Sequence, residues 1–146
     1  MHRWLALTCT LGLLAGCVSP TDPLGRQDAL EEAQQRYTDL VRWGELEKAG
    51  MFVDPELRAE YLRLAPSFEA LRITDFEIGD IVYDENDATV SVVYKGYVPA
   101  QLIERTAREE QAWYREEGLA NTWRVRPQLA QVLATLEGRP AGSAGH

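Results

Sequence analysis

The chain has 146 residues, which is room for one domain. Its hydrophobic fraction of 45% and charged fraction of 26% are those of ordinary globular proteins, so disorder of the whole chain is excluded. The 23 acidic residues outnumber the 15 basic ones and give a net charge of -8, which argues against nucleic-acid binding because phosphate contacts need positive charge.

The chain begins with the residue order of an export signal. A short positive start, Met1-His2-Arg3, precedes an apolar run over residues 4–14 that contains no carboxylate. This run is shorter than the roughly 20 apolar residues of a membrane-spanning helix and matches the roughly 7–15 of a signal peptide. Two small residues, Ala15 and Gly16, then stand directly before Cys17. The order predicts a signal peptide over residues 1–16, cleaved between Gly16 and Cys17.

The sequence Leu14-Ala15-Gly16-Cys17 resembles the lipobox of bacterial lipoproteins. The resemblance implies that Cys17 carries fatty acyl chains such as palmitate and holds the protein on a membrane, while a buried structural cysteine is the alternative. Val18 occupies the position where aspartate favours inner-membrane retention, so the resemblance implies an outer-membrane anchor with the domain in the periplasm. The cleaved chain keeps 14 basic and 23 acidic residues, a net charge of -9, and has no second cysteine for an internal disulfide.

The rest of the chain divides into a tether, one domain and a tail. Residues 17–27 are rich in Pro, Ser, Thr and Gly and predict a tether, and residues 138–146 have little to bury and predict a disordered end. Residues 28–137 then form one domain, which is large enough to fold without a metal or a disulfide.

Helical spacing dominates the first half of this domain. Asp28 is a candidate cap for a first helix that ends near Trp43-Gly44, and residues 45–49 predict a shorter helix. Asp54-Pro55-Glu56 has the order of a third helix start, and Pro66 is predicted to end that helix. The apolar faces are Leu30, Ala33, Tyr37, Leu40 and Val41 in the first helix and Leu57, Tyr61, Leu62 and Leu64 in the third.

Strand patterns follow Pro66. Apolar residues alternate from Leu71 to Ile78 with a slip at Thr74-Asp75 that predicts a bulge, and a turn over residues 84–87 leads to a strand over residues 88–95. Residues 102–117 read locally as a helix, yet residues 122–126 read as a strand that needs an antiparallel partner. Residues 127–136 predict a short closing helix.

This order, with residues 110–118 leading to Trp123-Arg124-Val125, resembles the cystatin-like cone of the nuclear transport factor 2-like superfamily over roughly residues 28–127. The resemblance implies an α+β fold in which amino-terminal helices pack on a bent antiparallel sheet, often around an apolar pocket. It also implies that residues 104–117 form a long strand, against the local helical pattern.

Few residues remain for catalysis. His2 leaves with the signal peptide and His146 lies in the tail, so histidine chemistry is excluded and no metal or other cofactor is expected. Some members of the superfamily are ketosteroid isomerases or polyketide cyclases, so one alternative is a pocket enzyme that pairs Asp54 or Asp75 with a tyrosine, Tyr94 or Tyr97. The other reading of these residues is structural, as surface acids and sheet aromatics.

Aromatic and charged residues are open to two interpretations. The aromatics could line a ligand pocket or fill an ordinary core. The charged runs 108–110 and 115–117 could form a partner surface or a solvated face. The candidate pocket residues are Trp43, Phe52, Phe76, Tyr94, Trp113 and Trp123, together with Phe68.

The sequence therefore favours a non-enzymatic, lipid-anchored envelope protein that binds a periplasmic protein or an apolar small molecule. The pocket enzyme is the alternative. The partners predicted are a membrane, through Cys17, and one such binding partner, with nucleic acid excluded and the oligomeric state left open.

Overall fold

The structure is a computed structural model that describes residue 22 and residues 24–140. The predicted signal peptide, its cleavage site and Cys17 lie outside the described residues, as do residues 141–146 of the predicted tail. The elements in chain order are α1 (Arg26–Arg42), α2 (Leu46–Ala49), α3 (Arg58–Leu62), α4 (Ala65–Glu69), β1 (Arg72–Asp84), β2 (Asp87–Tyr97), β3 (Arg105–Arg115), β4 (Trp123–Arg126) and α5 (Leu129–Leu136). The predicted α+β class is confirmed.

Helix α1 begins at Arg26, within the segment predicted as tether. The carboxylate of Asp22 accepts hydrogen bonds from the backbone N–H groups of Arg26, Gln27 and Asp28, at 2.9, 2.7 and 3.3 Å. These are donors that have no partner within a helix, so Asp22 caps α1 and the prediction of Asp28 as the cap is wrong. Gly25, at φ 62°, makes the turn that brings the Asp22 carboxylate back over the helix end.

The predicted third helix is divided in two. Helix α3 ends at Leu62, and Pro66 lies in the first turn of α4 and does not end a helix. A proline is compatible with the first helical turn because its missing N–H would have no partner there. The predicted helix end at Pro66 is therefore wrong.

The four strands form an antiparallel sheet in the order β1-β2-β3-β4. Register shifts interrupt β1 between Ile73 and Asp75 and again between Ile78 and Ile81. The first shift confirms the predicted bulge, and the second was not predicted. Each shift bends the strand locally and increases its twist.

Residues 102–117, which fitted both a helix and a strand in the sequence, contain a strand. Arg105–Arg115 forms β3, which pairs with β2 along its length and with β4 at its end, where Trp113 lies opposite Val125. The expectation from the superfamily resemblance is confirmed, and the local helical reading of residues 102–117 is wrong. Pairing with strands on both sides outweighs the helix propensity of its Glu, Arg, Gln and Ala residues.

One face of the sheet is covered by helices. Helix α1 contacts β1 and β4, and α5 contacts β2 and β3, on the side where alternate residues of β2, β3 and β4 are buried. Arg105, at the start of β3, donates a hydrogen bond of 3.3 Å to the carbonyl of Leu136 and ties the end of α5 to the sheet. Among residues 24–140, no helix has the length and apolar character needed to cross a membrane.

Gly96 of β2 leaves no room for a side chain against the backbone of β1. A Cβ atom at this position would lie 2.8 Å from the carbonyl oxygen of Arg72 and 3.2 Å from the Cα of Ile73, both backbone atoms. We expect Gly96→Ala to lower the free energy of unfolding by about 1–3 kcal/mol, because the β1 backbone must move to admit the methyl group. Gly79→Ala is the matched control, since its Cβ would meet Ser91 at 3.4 Å, an ordinary contact. Equal stability of the two variants in urea unfolding would contradict this reading of Gly96.

Candidate functional site

Three of the predicted pocket aromatics lie in the core. Tyr94, Trp113 and Trp123 are at most 3% exposed. The ring of Trp113 packs edge-on against Tyr37 with centroids 5.8 Å apart, and the half-buried Phe52 also packs edge-on against Tyr37 at 6.4 Å. Phe68 is also buried in this core. The structure brings these rings together as packing and not as the walls of an open pocket.

The other two predicted pocket aromatics stand apart from this group. Trp43, after the end of α1, is 73% exposed, and Phe76 is a half-buried residue of β1. The Arg42 guanidinium lies 5.3 Å from the Trp43 ring centroid and 5.9 Å from that of Phe76. Trp43 and Phe76 therefore form a surface stack on Arg42 and do not join the buried rings.

The predicted pairing of Asp54 or Asp75 with Tyr94 is not formed. Asp75 is exposed, and its carboxylate lies 4.0 Å from the Lys95 ammonium. Tyr97 is half-buried at the end of β2, opposite Arg72 in the register. The acid that reaches the Tyr94 hydroxyl is Glu109, a residue that the sequence analysis placed in a charged run.

Glu109 is a fully buried acid on the helix-covered face of the sheet. Its Oε2 accepts hydrogen bonds from the Tyr94 hydroxyl at 3.1 Å and from Gln111 Nε2 at 2.9 Å. Its Oε1 accepts one of 2.8 Å from the backbone N–H of Gln128, the residue that precedes α5. Glu109 thus connects the interior of the sheet to the start of α5.

Burial raises the pKa of both Glu109 and Tyr94. It raises the pKa of the Glu109 carboxyl above its ordinary value, against the opposing effect of the hydrogen bonds that Glu109 accepts. Burial, together with the nearby Glu109 charge, also raises the pKa of Tyr94. Burial therefore disfavours the charged form of both side chains. Neither residue lines the surface clefts beside Tyr114, beside α2 or at the start of α5.

Further polar groups extend this network toward α1. The Gln111 Oε1 accepts a hydrogen bond of 3.1 Å from the Trp113 indole and faces Gln34 Nε2 at 3.5 Å, and Gln34 also donates to Thr38 at 3.0 Å. Where the resemblance implies an apolar pocket, the sheet and α1 instead enclose a connected set of amide, hydroxyl and carboxyl groups.

A different region, at the surface, has the geometry of a binding site. An open cleft of about 670 Å³ lies at the end of the sheet where β3 meets the turn between β1 and β2. Five of its lining residues are acidic and two are arginines. The lining consists of Asp54, Pro55, Glu56, Asn86, Asp87, Tyr114, Arg115, Glu116, Glu117 and Arg126.

Asp54 is fixed at the wall of this cleft. Its backbone N–H donates to the carbonyl of Val125 at 2.9 Å, beside a parallel bridge between Val53 and Val125. Its carboxylate accepts hydrogen bonds of 3.0 Å from the backbone N–H of Glu56 and 3.0 Å from the Arg126 guanidinium. These contacts hold the pKa of Asp54 below its ordinary value. At neutral pH Asp54 is therefore an ionised anchor and not a proton donor.

Tyr114 and Arg126 form the floor of the cleft. The guanidinium carbon of Arg126 lies 4.7 Å from the Tyr114 ring centroid, within the range of a cation–π contact. The neighbouring Asp54 raises the pKa of Arg126, and burial with the same negative charge raises the pKa of Tyr114. Both groups are held in one arrangement by Asp54.

The remaining acids leave the cleft negative. Glu116 is paired with Arg124 at 2.7 Å, whereas Glu56, Asp87 and Glu117 have no ion-pair partner within 4.0 Å among the described residues. Across residues 24–140, no three His, Cys, Asp or Glu side chains come close enough together to hold a metal ion. The available chemistry is recognition of a positively charged group beside an aromatic ring.

Comparison with solved structures gives a similarity of fold. No protein-family model and no curated protein matches the chain. Among solved structures, a candidate NTF2-like transpeptidase from Campylobacter jejuni superposes with a TM-score of 0.45 at 10% sequence identity, covering 65% of this chain and 94% of that one. Membership of the nuclear transport factor 2-like superfamily stays a prediction.

Proposed function

We propose that this protein is a lipid-anchored, non-enzymatic binding module of the bacterial envelope. Its nuclear transport factor 2-like domain binds a positively charged segment of a protein partner in the cleft around Tyr114. The anchor is Cys17, on the outer membrane and facing the periplasm, as the lipobox and Val18 imply. The observation that carries the binding role is the open cleft of about 670 Å³, with its pre-arranged Tyr114–Arg126 stack and unpaired acids.

The buried side of the sheet supports a protein partner over an apolar small molecule. Glu109, Gln111 and the core aromatics occupy the region where such a ligand would lie. Small-molecule sites are concave and mostly apolar, whereas this cleft is open and lined mainly by charged side chains. A polypeptide with Lys or Arg side chains complements such a surface.

The state of the acids supports binding over catalysis. A general acid or base works best when its pKa lies near the operating pH. Asp54 is held ionised by the hydrogen bond from the Glu56 N–H and by Arg126, Asp75 faces solvent, and Glu109 is enclosed beneath α5. A pocket enzyme would require one of these three carboxyls both to be reachable by substrate and to have a pKa near neutrality.

A charge-reversal experiment tests the cleft. The probe is a fluorescent hexa-arginine peptide, titrated against the full-length protein in detergent at 150 mM salt and followed by fluorescence anisotropy. We expect the double variant Asp87→Lys/Glu117→Lys to weaken binding at least tenfold, because both exposed carboxylates line the cleft.

The control is Glu77→Lys/Asp80→Lys, which makes the same change in net charge on β1, at exposed positions outside the cleft. Binding within twofold of the original protein is expected for this variant. Equal loss in both double variants would show that net charge alone attracts the peptide, and no binding to the original protein would contradict recognition of a basic segment.

A further inference from the structure

We propose that Leu24 and Leu119 form a second membrane contact beside the lipid anchor and hold the domain in one orientation on the bilayer. This inference rests on the proposed lipidation of Cys17. It assigns the lipid surface as the partner of two exposed leucines on linked segments at one end of the domain, Leu24 and Leu119, which together are called the patch.

The length of chain after the anchor limits where the domain can be. Five residue steps separate Cys17 from Asp22, whose carboxylate is bound to the start of α1. A fully extended chain advances at most about 3.6 Å per residue, so these steps span at most about 18 Å. The amino-terminal end of α1 must therefore lie close to the membrane surface.

Both leucines lie at this end of the domain. Leu24 is 61% exposed, and its carbonyl accepts a hydrogen bond of 2.8 Å from the Asn121 side chain. Leu119 precedes Asn121 by two residues in the connection between β3 and β4, and its side chain is fully exposed. Trp123, at the start of β4, donates a hydrogen bond of 3.0 Å to the carbonyl of Arg26 and completes the link between this connection and α1.

The connection that bears Leu119 is held by hydrogen bonds. The Arg115 guanidinium donates to the carbonyls of Glu116 and Gly118, each at 3.4 Å, and Gly118 adopts φ 130°, where residues with side chains are rarely found. A leucine presented on a pre-formed turn loses less conformational entropy on entering a membrane than one on a mobile segment.

The charges nearby set the depth of the contact. Glu116 is paired with Arg124, while the exposed Glu117 stands two residues before Leu119. A carboxylate is unfavourable in the hydrocarbon region, so Glu117 stays among the headgroups and Leu119 reaches only their boundary with the acyl chains. The patch therefore makes a shallow contact that orients the domain while the lipid on Cys17 supplies the attachment.

Quenching by brominated lipid tests this contact. The full-length Leu119→Cys variant is purified in its lipidated form, labelled with an environment-sensitive fluorophore, and reconstituted into vesicles of phosphatidylethanolamine and phosphatidylglycerol with brominated acyl chains. The introduced thiol is the one that reacts, because Cys9 leaves with the signal peptide and Cys17 is acylated. We expect at least threefold stronger quenching at this position than at a control position.

The control is Leu102→Cys, an exposed leucine in the connection that precedes β3, at the opposite end of that strand. Vesicle flotation is measured on both samples. Flotation with equal quenching at the two positions would overturn the oriented contact and leave the lipid anchor standing. Failure of both proteins to float would overturn the anchor, and the membrane contact with it.

Discussion

Glu109→Ala is expected to lower the free energy of unfolding by about 3 kcal/mol. The substitution removes the acceptor of the buried Tyr94 hydroxyl, and a buried donor left unpaired costs about 1–3 kcal/mol. It also removes one of the two acceptors of Gln111 Nε2 and the acceptor of the part-buried Gln128 N–H. It also leaves a small cavity beneath α5. Relief of the desolvation penalty on the buried carboxyl offsets part of this cost, so the net change is smaller than the sum.

Urea unfolding followed by tryptophan fluorescence measures this change, with Glu110→Ala as the matched control. Glu110 is the next residue of β3 and faces solvent on the other side of the sheet, so its removal should alter stability by less than about 0.5 kcal/mol. Similar stabilities for the two variants would mean that the Glu109 network does not hold α5 on the sheet.

The pH dependence of stability is a second test of Glu109, through its raised pKa. The folded protein raises the pKa of Glu109 above its unfolded value near 4.5, so the folded state binds this proton more tightly. The stability that Glu109 contributes is fully present below the unfolded pKa and is lost as pH rises through the folded pKa. Asp54 has a lowered pKa and acts in the opposite sense, since its contribution is lost as pH falls.

Comparison with the Glu109→Gln variant separates the pH effect of Glu109 from that of Asp54. The difference in unfolding free energy between the original protein and this variant should decrease as pH is raised from 4 toward 8, because only Glu109 differs between them. A difference that stays constant across this range would contradict a raised pKa at Glu109.

Cys17→Ser is expected to release nearly all of the protein from the membrane fraction. The hydroxyl of serine cannot form the thioether that carries lipid, and no described helix could hold the chain in a bilayer instead. A single acyl chain binds only reversibly, so the proposed anchor depends on several chains at this one residue. Fractionation of cells that express the full-length chain, followed by immunoblotting, measures the change.

Cys9→Ser is the control, because this cysteine lies in the predicted signal peptide. The Cys9→Ser protein should remain in the membrane fraction at the original level. If the Cys17→Ser protein also stays with the membranes after a high-salt wash, the lipoprotein interpretation is wrong.

Periodicity in the sequence located the first helix and the first hairpin but misjudged β3, for a physical reason. Strands are recognised by alternation of apolar and polar residues, yet two of the inward-facing positions of β3 are Glu109 and Gln111, and Ala112 faces outward. These polar inward residues conceal the period of two, and the remaining pattern resembles a helical stripe. The superfamily resemblance identified the strand because it uses the order of elements and not the local period.

Caps and clefts were missed because they depend on tertiary contacts. Asp22 reaches the end of α1 only through the turn at Gly25, and nothing in the local pattern favours it over Asp28. Asp54 was a candidate acid, but its partner Arg126 lies 72 residues further along the chain. The aromatics were open to a pocket or a core interpretation, and the core interpretation is right for Tyr94, Trp113, Trp123 and Phe68 but not for the exposed Trp43.

The two edges of the sheet differ in how far they are open to pairing with a strand of another copy. Backbone hydrogen bonds from Asp54 to Val125 and from Val125 to Phe52 cover the outer edge of β4. The outer edge of β1 pairs with no other described strand, but two register shifts break its line of free backbone groups. An anchored protein diffuses in two dimensions, where neighbours meet often, and a continuous open strand would invite them to pair. If the protein is anchored as proposed, the bulges in β1 make each copy a poor template for aggregation of the next.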